Sequence, residues 1–220
     1  MCAVIPSWIY TVKVKPEFAE DKFDSFSDGI HRVSTNTVVR FRTGHFDTDA
    51  ARWSRGFTSG KHVFEIVYPN NQRGTEAPVG VGLESAPLWV KGRSCLIGST
   101  ADSWGICLRS KRAFHCGKVQ KKYPLHQRPL PDTFYMYLDA DSGNVMFGSN
   151  VEFYGSAIAN ISARPLYPMI GSCMQGSTMT MIYRGEGDIN AIPPEQPVYG
   201  QHLPAVPAAV YQVQQVTEVY

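Results

Sequence analysis

FYMYLDADSGNVMFGSN, residues 134–150, reads as a strand, a turn and a second strand. On either side of Asp-Ala-Asp-Ser-Gly lie aromatic and β-branched residues, while Asp139, Asp141, Ser142 and Gly143 accept the local hydrogen bonding and positive φ of a tight turn. A hairpin of this kind joins antiparallel strands. Outward from it the same grammar repeats. HVFEIVYP (62–69) sets Phe64, Ile66 and Tyr68 on one face and Glu65 on the other, and STMTMIY (177–183) reads as a closing strand. Short apolar runs punctuated by Gly, Pro, Asn and Asp continue from about Val38 to Tyr183, with almost no helical periodicity. The fold class expected is all-β, an antiparallel sandwich.

At 220 residues, 43% hydrophobic and 18% charged, the chain suits one packed domain with flanking segments. A net charge of +2 gives no reason to expect nucleic acid as a partner. No stretch reaches the ~20 apolar residues of a membrane span, and the N-terminus lacks the pattern of a secretory leader. A cytoplasmic address, with the nucleus as an alternative, is expected. The five cysteines show no Cys-x-x-Cys pair and no zinc-site spacing with His, so reduced and mostly buried thiols are expected, with no metal and no cofactor. Residues 1–37 are loosely patterned, with Trp8, Phe18, Phe23 and Phe26 as points of docking on the domain. Residues 185–220 hold five prolines and little charge, and are expected to be extended or disordered.

Motifs that would carry chemistry fail one by one. Gly80 and Gly82 start a dinucleotide-like pattern, but the third glycine is missing and Pro87 stands where a helix would run. Both glycines fit better in a strand that something approaches closely. His115 and Cys116 are adjacent, and neighbours on a strand point to opposite faces, so Cys116 is expected to be a structural thiol. Asp139 and Asp141 lack a calcium-loop spacing and fit a turn. Arg109, Lys111, Arg112, Lys118, Lys121 and Lys122 read as a solvated rim. No catalytic signature is present, and a non-enzyme is expected.

Five stretches in order carry a resemblance: residues 60–88 (GKHVFEIVYPNNQRGTEAPVGVGLESAPL), 96–108 (LIGSTADSWGICL), 114–118 (FHCGK), 135–147 (YMYLDADSGNVMF) and 166–172 (LYPMIGS). Together they resemble the SPRY (B30.2-type) domain, most closely that of the SPRY domain-containing SOCS box proteins, over residues 38–184. The resemblance implies a bent two-sheet sandwich whose loops at one end grip a short extended peptide, in the relatives Asp/Glu-Leu/Ile-Asn-Asn-Asn. Carried over by position, it implies Arg73 of the Arg-Gly-Thr turn, Leu96 and, upstream, Arg42 as peptide-binding residues.

Two departures alter that expectation. Arg93 follows Gly92 where the family has tyrosine, and Cys173-Met174-Gln175 replaces Val-Trp-Gly, so a cation and a thioether stand in place of an aromatic wall. With Arg42, Arg73 and Arg93 beside Met174 and Gln175, a more acidic peptide is expected. After Arg184 nothing resembles the Leu-Cys elongin contact of a SOCS box, so recruitment of elongin and cullin ligase components is left in question. The functional expectation is a module that binds a linear motif in a target protein, as the substrate-recognition adaptor of a ubiquitin ligase. The alternative is a scaffold or a competitor without ligase recruitment.

Overall fold

In the computed structural model, residues 4–44, 46–124, 129–188 and 190 are described. The chain passes through β1 (Val12–Lys13), β2 (Phe23–Phe26), β3 (Ile30–Arg32), β4 (Thr37–Arg40), β5 (Thr48–Trp53), β6 (Lys61–Val67), β7 (Pro78–Gly82) and β8 (Trp89–Val90). It continues through β9 (Ser103–Cys107), β10 (Arg112–His115), β11 (Lys118–Lys122), β12 (Thr133–Asp139), β13 (Asn144–Gly148), β14 (Phe153–Ile158), β15 (Tyr167–Ser172) and β16 (Thr178–Gly187). Two antiparallel sheets result. One runs β14-β13-β12-β6-β16-β4-β3 with β1 beside β16, and the other β11-β10-β9-β7-β15-β5-β2 with β8 beside β5.

The hairpin at residues 134–150 forms as its sequence predicts. Tyr137 pairs with Met146 and Asp139 with Asn144, and Asp139 Oδ1 accepts the backbone N–H groups of Asp141 and Ser142, both at 3.1 Å. Phe64 and Ile66 of β6, and Tyr68 just after it, are fully buried, and they share the core between the sheets with Val79, Val81, Ile106, Phe134, Leu138, Phe147 and Ile170. The other face of β6 differs from a simple alternation. Val63 is also buried, because Trp8 and Ile9 of the N-terminal segment cover it together with Tyr137 and Met146.

That segment is therefore built into the sandwich: β1 pairs with β16, β2 with β5 and β3 with β4. Trp8 and Phe23 are buried and Phe18 partly so, whereas Phe26 stays exposed. At the other end β16 runs on through Gly187, three residues past the expected boundary at Arg184. The expected tail beyond residue 190 lies outside the described residues.

Gly80 and Gly82 sit in β7, every residue of which is buried. A Cβ on Gly80 would lie 2.1 Å from the Trp104 carbonyl oxygen and 2.5 Å from the Gly105 Cα, so the strand is bare where β9 backbone packs on it. The basic residues expected on a solvated rim gather on the β10–β11 edge, where Lys118, Lys121 and Lys122 of β11 are exposed. Lysines on an edge strand discourage pairing with another chain.

His62 of β6 is held among rings, with its centroid 3.9 Å from that of Phe57. Its Nε2 lies 2.8 Å from the Ser59 carbonyl and its Nδ1 3.1 Å from the Tyr183 hydroxyl. Burial holds the imidazole below its ordinary value, outweighing the carbonyl contact and the nearby Glu186.

Two outcomes are expected. Gly80→Ala should lower stability by about 3 kcal/mol, at the upper end of overpacking costs, against about 1 kcal/mol for Gly176→Ala, where φ is +78° but nothing stands within 4 Å; urea unfolding of both variants measures the difference. For His62, the unfolded chain takes up its proton first as pH falls below about 6.5. Its contribution to stability is thus complete above that value and is lost as pH drops towards the folded midpoint. An NMR titration of the ring should place that midpoint below 6.5, and His62→Gln should flatten this part of the acid-stability curve.

Candidate functional site

Four connections meet at one end of the sandwich: residues 41–47, 70–76, 88–96 and 173–177. Their order comes from a buried ion network. Arg40 ends β4 and Asp49 is the second residue of β5; both are fully buried. Arg40 Nε donates to Asp49 Oδ2 at 2.9 Å, its Nη1 to the carbonyls of Arg42 and Gly44, and its Nη2 to that of Asp47, each at 2.9 Å. Asp49 also accepts from Arg42 Nη2 at 2.9 Å and from Ser27 Oγ at 2.8 Å. The Asp49 carboxylate raises the pKa of Arg42. Gly29 makes room for it, since a Cβ there would stand 2.3 Å from Oδ1.

One side chain thus fixes the carbonyls of Arg42, Gly44 and Asp47, through charge-assisted bonds stronger than neutral ones. The same strand end reaches the closing loop, where the Arg40 N–H donates to the Ser177 carbonyl and the Gly176 N–H to the Arg40 carbonyl. Asp47 Oδ1 accepts the Gly92 N–H at 3.1 Å, tying in the third connection. Thr48 and Asp49 pair with Val90 and Trp89 of β8.

Arg73 takes a different place from the rim position expected of it. It is 2% exposed, and its guanidinium uses all five N–H groups inside the protein. Nε and Nη2 donate to the Tyr68 carbonyl at 3.0 and 2.7 Å, and Nη1 to Asn70 Oδ1 and the Leu130 carbonyl at 2.6 and 2.7 Å. The remaining bond joins Nη2 to the Pro131 carbonyl at 2.6 Å. No donor is left for a peptide. Burial lowers its pKa, but an arginine stays charged, and the side chain fastens the 70–76 turn to residues 130–131. Leu96 is likewise fully buried and presents no surface. A turn motif locates an arginine without showing which way it points.

The remaining expected residues lie on these connections. Arg42 keeps about a third of its side chain exposed and lies 5.9 Å above the Trp89 ring. Arg93 lies 5.4 Å over the Phe46 ring. Met174 is half-buried, its backbone N–H held by Ser172 Oγ at 3.0 Å, and Gln175 is exposed. Met174 packs against the Arg-Gly-Thr turn, where a Cβ on Gly74 would meet its Cβ at 2.8 Å. What the sequence reading missed is aromatic: Phe41, Phe46 and Trp89 are 53%, 72% and 45% exposed. Their signal is present in RFRTGHF (40–46), where aromatics stand among cations without the spacing of a core strand, and in Trp89 of LWV (88–90).

A second constellation corrects another expectation. Cys116 does not sit on a strand; it takes φ 51° in the turn after β10, where its thiol is exposed, and its Sγ comes within 3.3 Å of His115 Nε2. His115 Nδ1 lies 3.0 Å from the Ser103 carbonyl, and the ring stacks on Trp104 at 4.8 Å. Both rings line a cleft of about 420 Å³ completed by Gln120, Lys121 and residues 157–162. The thiol and imidazole are thus neighbours at a turn.

A family model of the SPRY domain matches residues 61–186. The chain belongs to the SPRY domain family. It is 36% identical over 155 residues to the SPRY domain-containing SOCS box protein 1 of Homo sapiens, covering 67% of this chain and 55% of that protein. It is 35% identical over 153 residues to Protein gustavus of Drosophila melanogaster (66% and 55%), and 33% identical over 142 residues to an F-box/SPRY domain-containing protein 1 of Drosophila mojavensis (63% and 56%). The chain thus spans little more than half the length of these relatives. Among solved structures, the SPRY domain of human HERC1 superposes with a TM-score of 0.54 at 18% identity, over 76% of this chain and all of that one. The TRIM65 PSpry domain gives 0.56 at 18% identity over 74% and 92%. As a SPRY domain the chain is a protein-interaction module. Among the described residues no helix is long and apolar enough to cross a membrane.

Replacing Asp49 by Asn should cost about 3–5 kcal/mol, because Arg40 would keep its buried charge without a counter-ion. Thermal unfolding of the variant measures the loss.

Proposed function

We propose that this SPRY domain binds an extended, acidic segment of a target protein across Phe46, Trp89, Arg42, Arg93, Met174 and Gln175. The reading is carried by one observation: Trp89 and Phe46 stand exposed at one end of the sandwich, each with a guanidinium over its ring. Exposed aromatics beside arginines on rigid supports are the residue types that dominate interface energetics. The support here is the buried Arg40–Asp49 pair, which orders the loops before a partner arrives and so limits the entropy lost on binding. Two cations at the surface favour carboxylates in the ligand. Arg73 acts in this reading as a positioning residue for the neighbouring turn.

The relatives that carry SOCS box and F-box in their names favour an adaptor role, in which the bound target is presented to a ubiquitin ligase. A scaffold or competitor that binds the same target without ligase components is the alternative. Co-purification of elongin and cullin subunits with the tagged chain supports the adaptor, and target capture without them supports the alternative.

On a peptide array the chain should prefer acidic over neutral versions of its ligands. Trp89→Ala should weaken binding of the selected peptide by about 30-fold, the loss of one strong hot spot, and Arg93→Ala should flatten both the acidic preference and the salt dependence. Calorimetry measures each. Unchanged affinity in both variants, with wild-type circular dichroism, sinks the assignment of this surface.

A further inference from the structure

Two cysteines twelve residues apart in sequence meet beside a carboxylate. Cys107 closes β9 and pairs with Pro78 of β7, which places Glu76 beside it at the mouth of the same ladder. The loop leading from β8 brings Cys95 to the same point. The three ligand atoms, two Sγ and one carboxylate oxygen, all lie within 4.8 Å of one another, and Cys107 Sγ stands 3.3 Å from Glu76 Oε2.

We propose that Glu76, Cys95 and Cys107 form a binding site for a zinc-class divalent cation. Zinc holds thiolate sulfur at about 2.3 Å and carboxylate oxygen at about 2.1 Å, which in a tetrahedron separates neighbouring ligand atoms by about 3.6–3.8 Å. The Cys107–Glu76 distance of 3.3 Å lies just inside those edges and the other separations stay within 4.8 Å, so small side-chain rotations close the site. Two thiolates select a borderline metal over magnesium or calcium, which require oxygen ligands. Both cysteines are buried and Glu76 is half-buried. Three protein ligands leave a fourth position for water or an external donor.

The surroundings hold the ligands in place. The Ser110 N–H points at Cys107 Sγ at 3.5 Å. Glu76 is anchored through its backbone, its N–H donating to Cys173 Sγ at 3.3 Å and its carbonyl accepting the Cys173 N–H at 3.2 Å. A disulfide between Cys95 and Cys107 would employ the sulfurs alone and leave the adjacent carboxylate without a role. A cation uses all three groups and offsets their charge. It would also clamp the loop that carries Arg93, two residues from Cys95, although the site does not depend on what that loop binds.

The test is a titration of the full chain, reduced and stripped of metal, with Co²⁺ followed by Zn²⁺. One equivalent of Co²⁺ should bind, with the thiolate-to-cobalt absorption and intense visible bands of a tetrahedral site, and Zn²⁺ should displace it. Cys95→Ala should abolish the charge-transfer absorption or weaken affinity beyond the roughly 10–100-fold typical of losing an outer-shell partner. Glu76→Gln, which keeps both sulfurs, should weaken affinity by at least about tenfold. Cys116→Ser, at an exposed thiol away from the site, should leave the spectrum unchanged. Cys95 lies in a loop, so its variant keeps the test decisive if Cys107→Ala fails to fold. The proposal is overturned if the reduced, folded chain shows no thiolate-to-cobalt band, or if Cys95→Ala and Glu76→Gln bind as tightly as wild type.

Discussion

A buried carboxylate organises one loop end of this sandwich. Asp49 receives Arg40, Arg42 and Ser27 where no water reaches it. Such a group is tolerated only because its charge is matched and its oxygens are occupied; the pair contributes little net stability compared with an apolar core, but breaking it leaves an uncompensated ion. What the pair supplies is geometry. Through Arg40 it fixes the carbonyls of Arg42, Gly44 and Asp47, and so decides where Phe46 and Arg42 stand.

The surface differs in character from the core beneath it. Between the sheets, Phe64, Phe134, Phe147 and their neighbours are buried because removing their area from water is the main drive to fold. At the loop end, Trp89 and Phe46 stay in contact with water, each with a guanidinium over its ring. An aromatic under a cation presents an apolar face with a positive fringe. Arg73 works from below. Its five bonds join a turn to a segment nearly sixty residues away, with no donor left over. The same residue type thus serves as contact, cap and clamp according to depth.

The strands were legible because period-two alternation and turn chemistry are local. The hairpin around Asp139, the core face of β6 and the bare glycines of β7 could each be read from a few neighbouring residues. The site was legible only in part. Arg42, Arg93, Met174 and Gln175 lie on the loops at this end, but Arg73 and Leu96 are buried, and Trp89 and Phe46 carry little pattern that separates them from core aromatics. Exposure is a property of what packs over a residue, and the segments that pack here come from distant parts of the chain. Cys116 failed for a related reason: strand alternation was assumed one residue too far, and a positive φ returned its thiol to His115.

By itself the sequence determined an all-β antiparallel sandwich of the SPRY kind, since hydrophobic alternation, turn residues and an ordered set of motifs are written into adjacent positions. Only the tertiary structure decided which arginines face solvent, how the N-terminal strands complete both sheets, and that Glu76, Cys95 and Cys107 share one point. Those outcomes depend on the register between strands that are neighbours in space and far apart in the chain. Burial, charge pairing and ligand geometry are set there, after the local pattern has done its part.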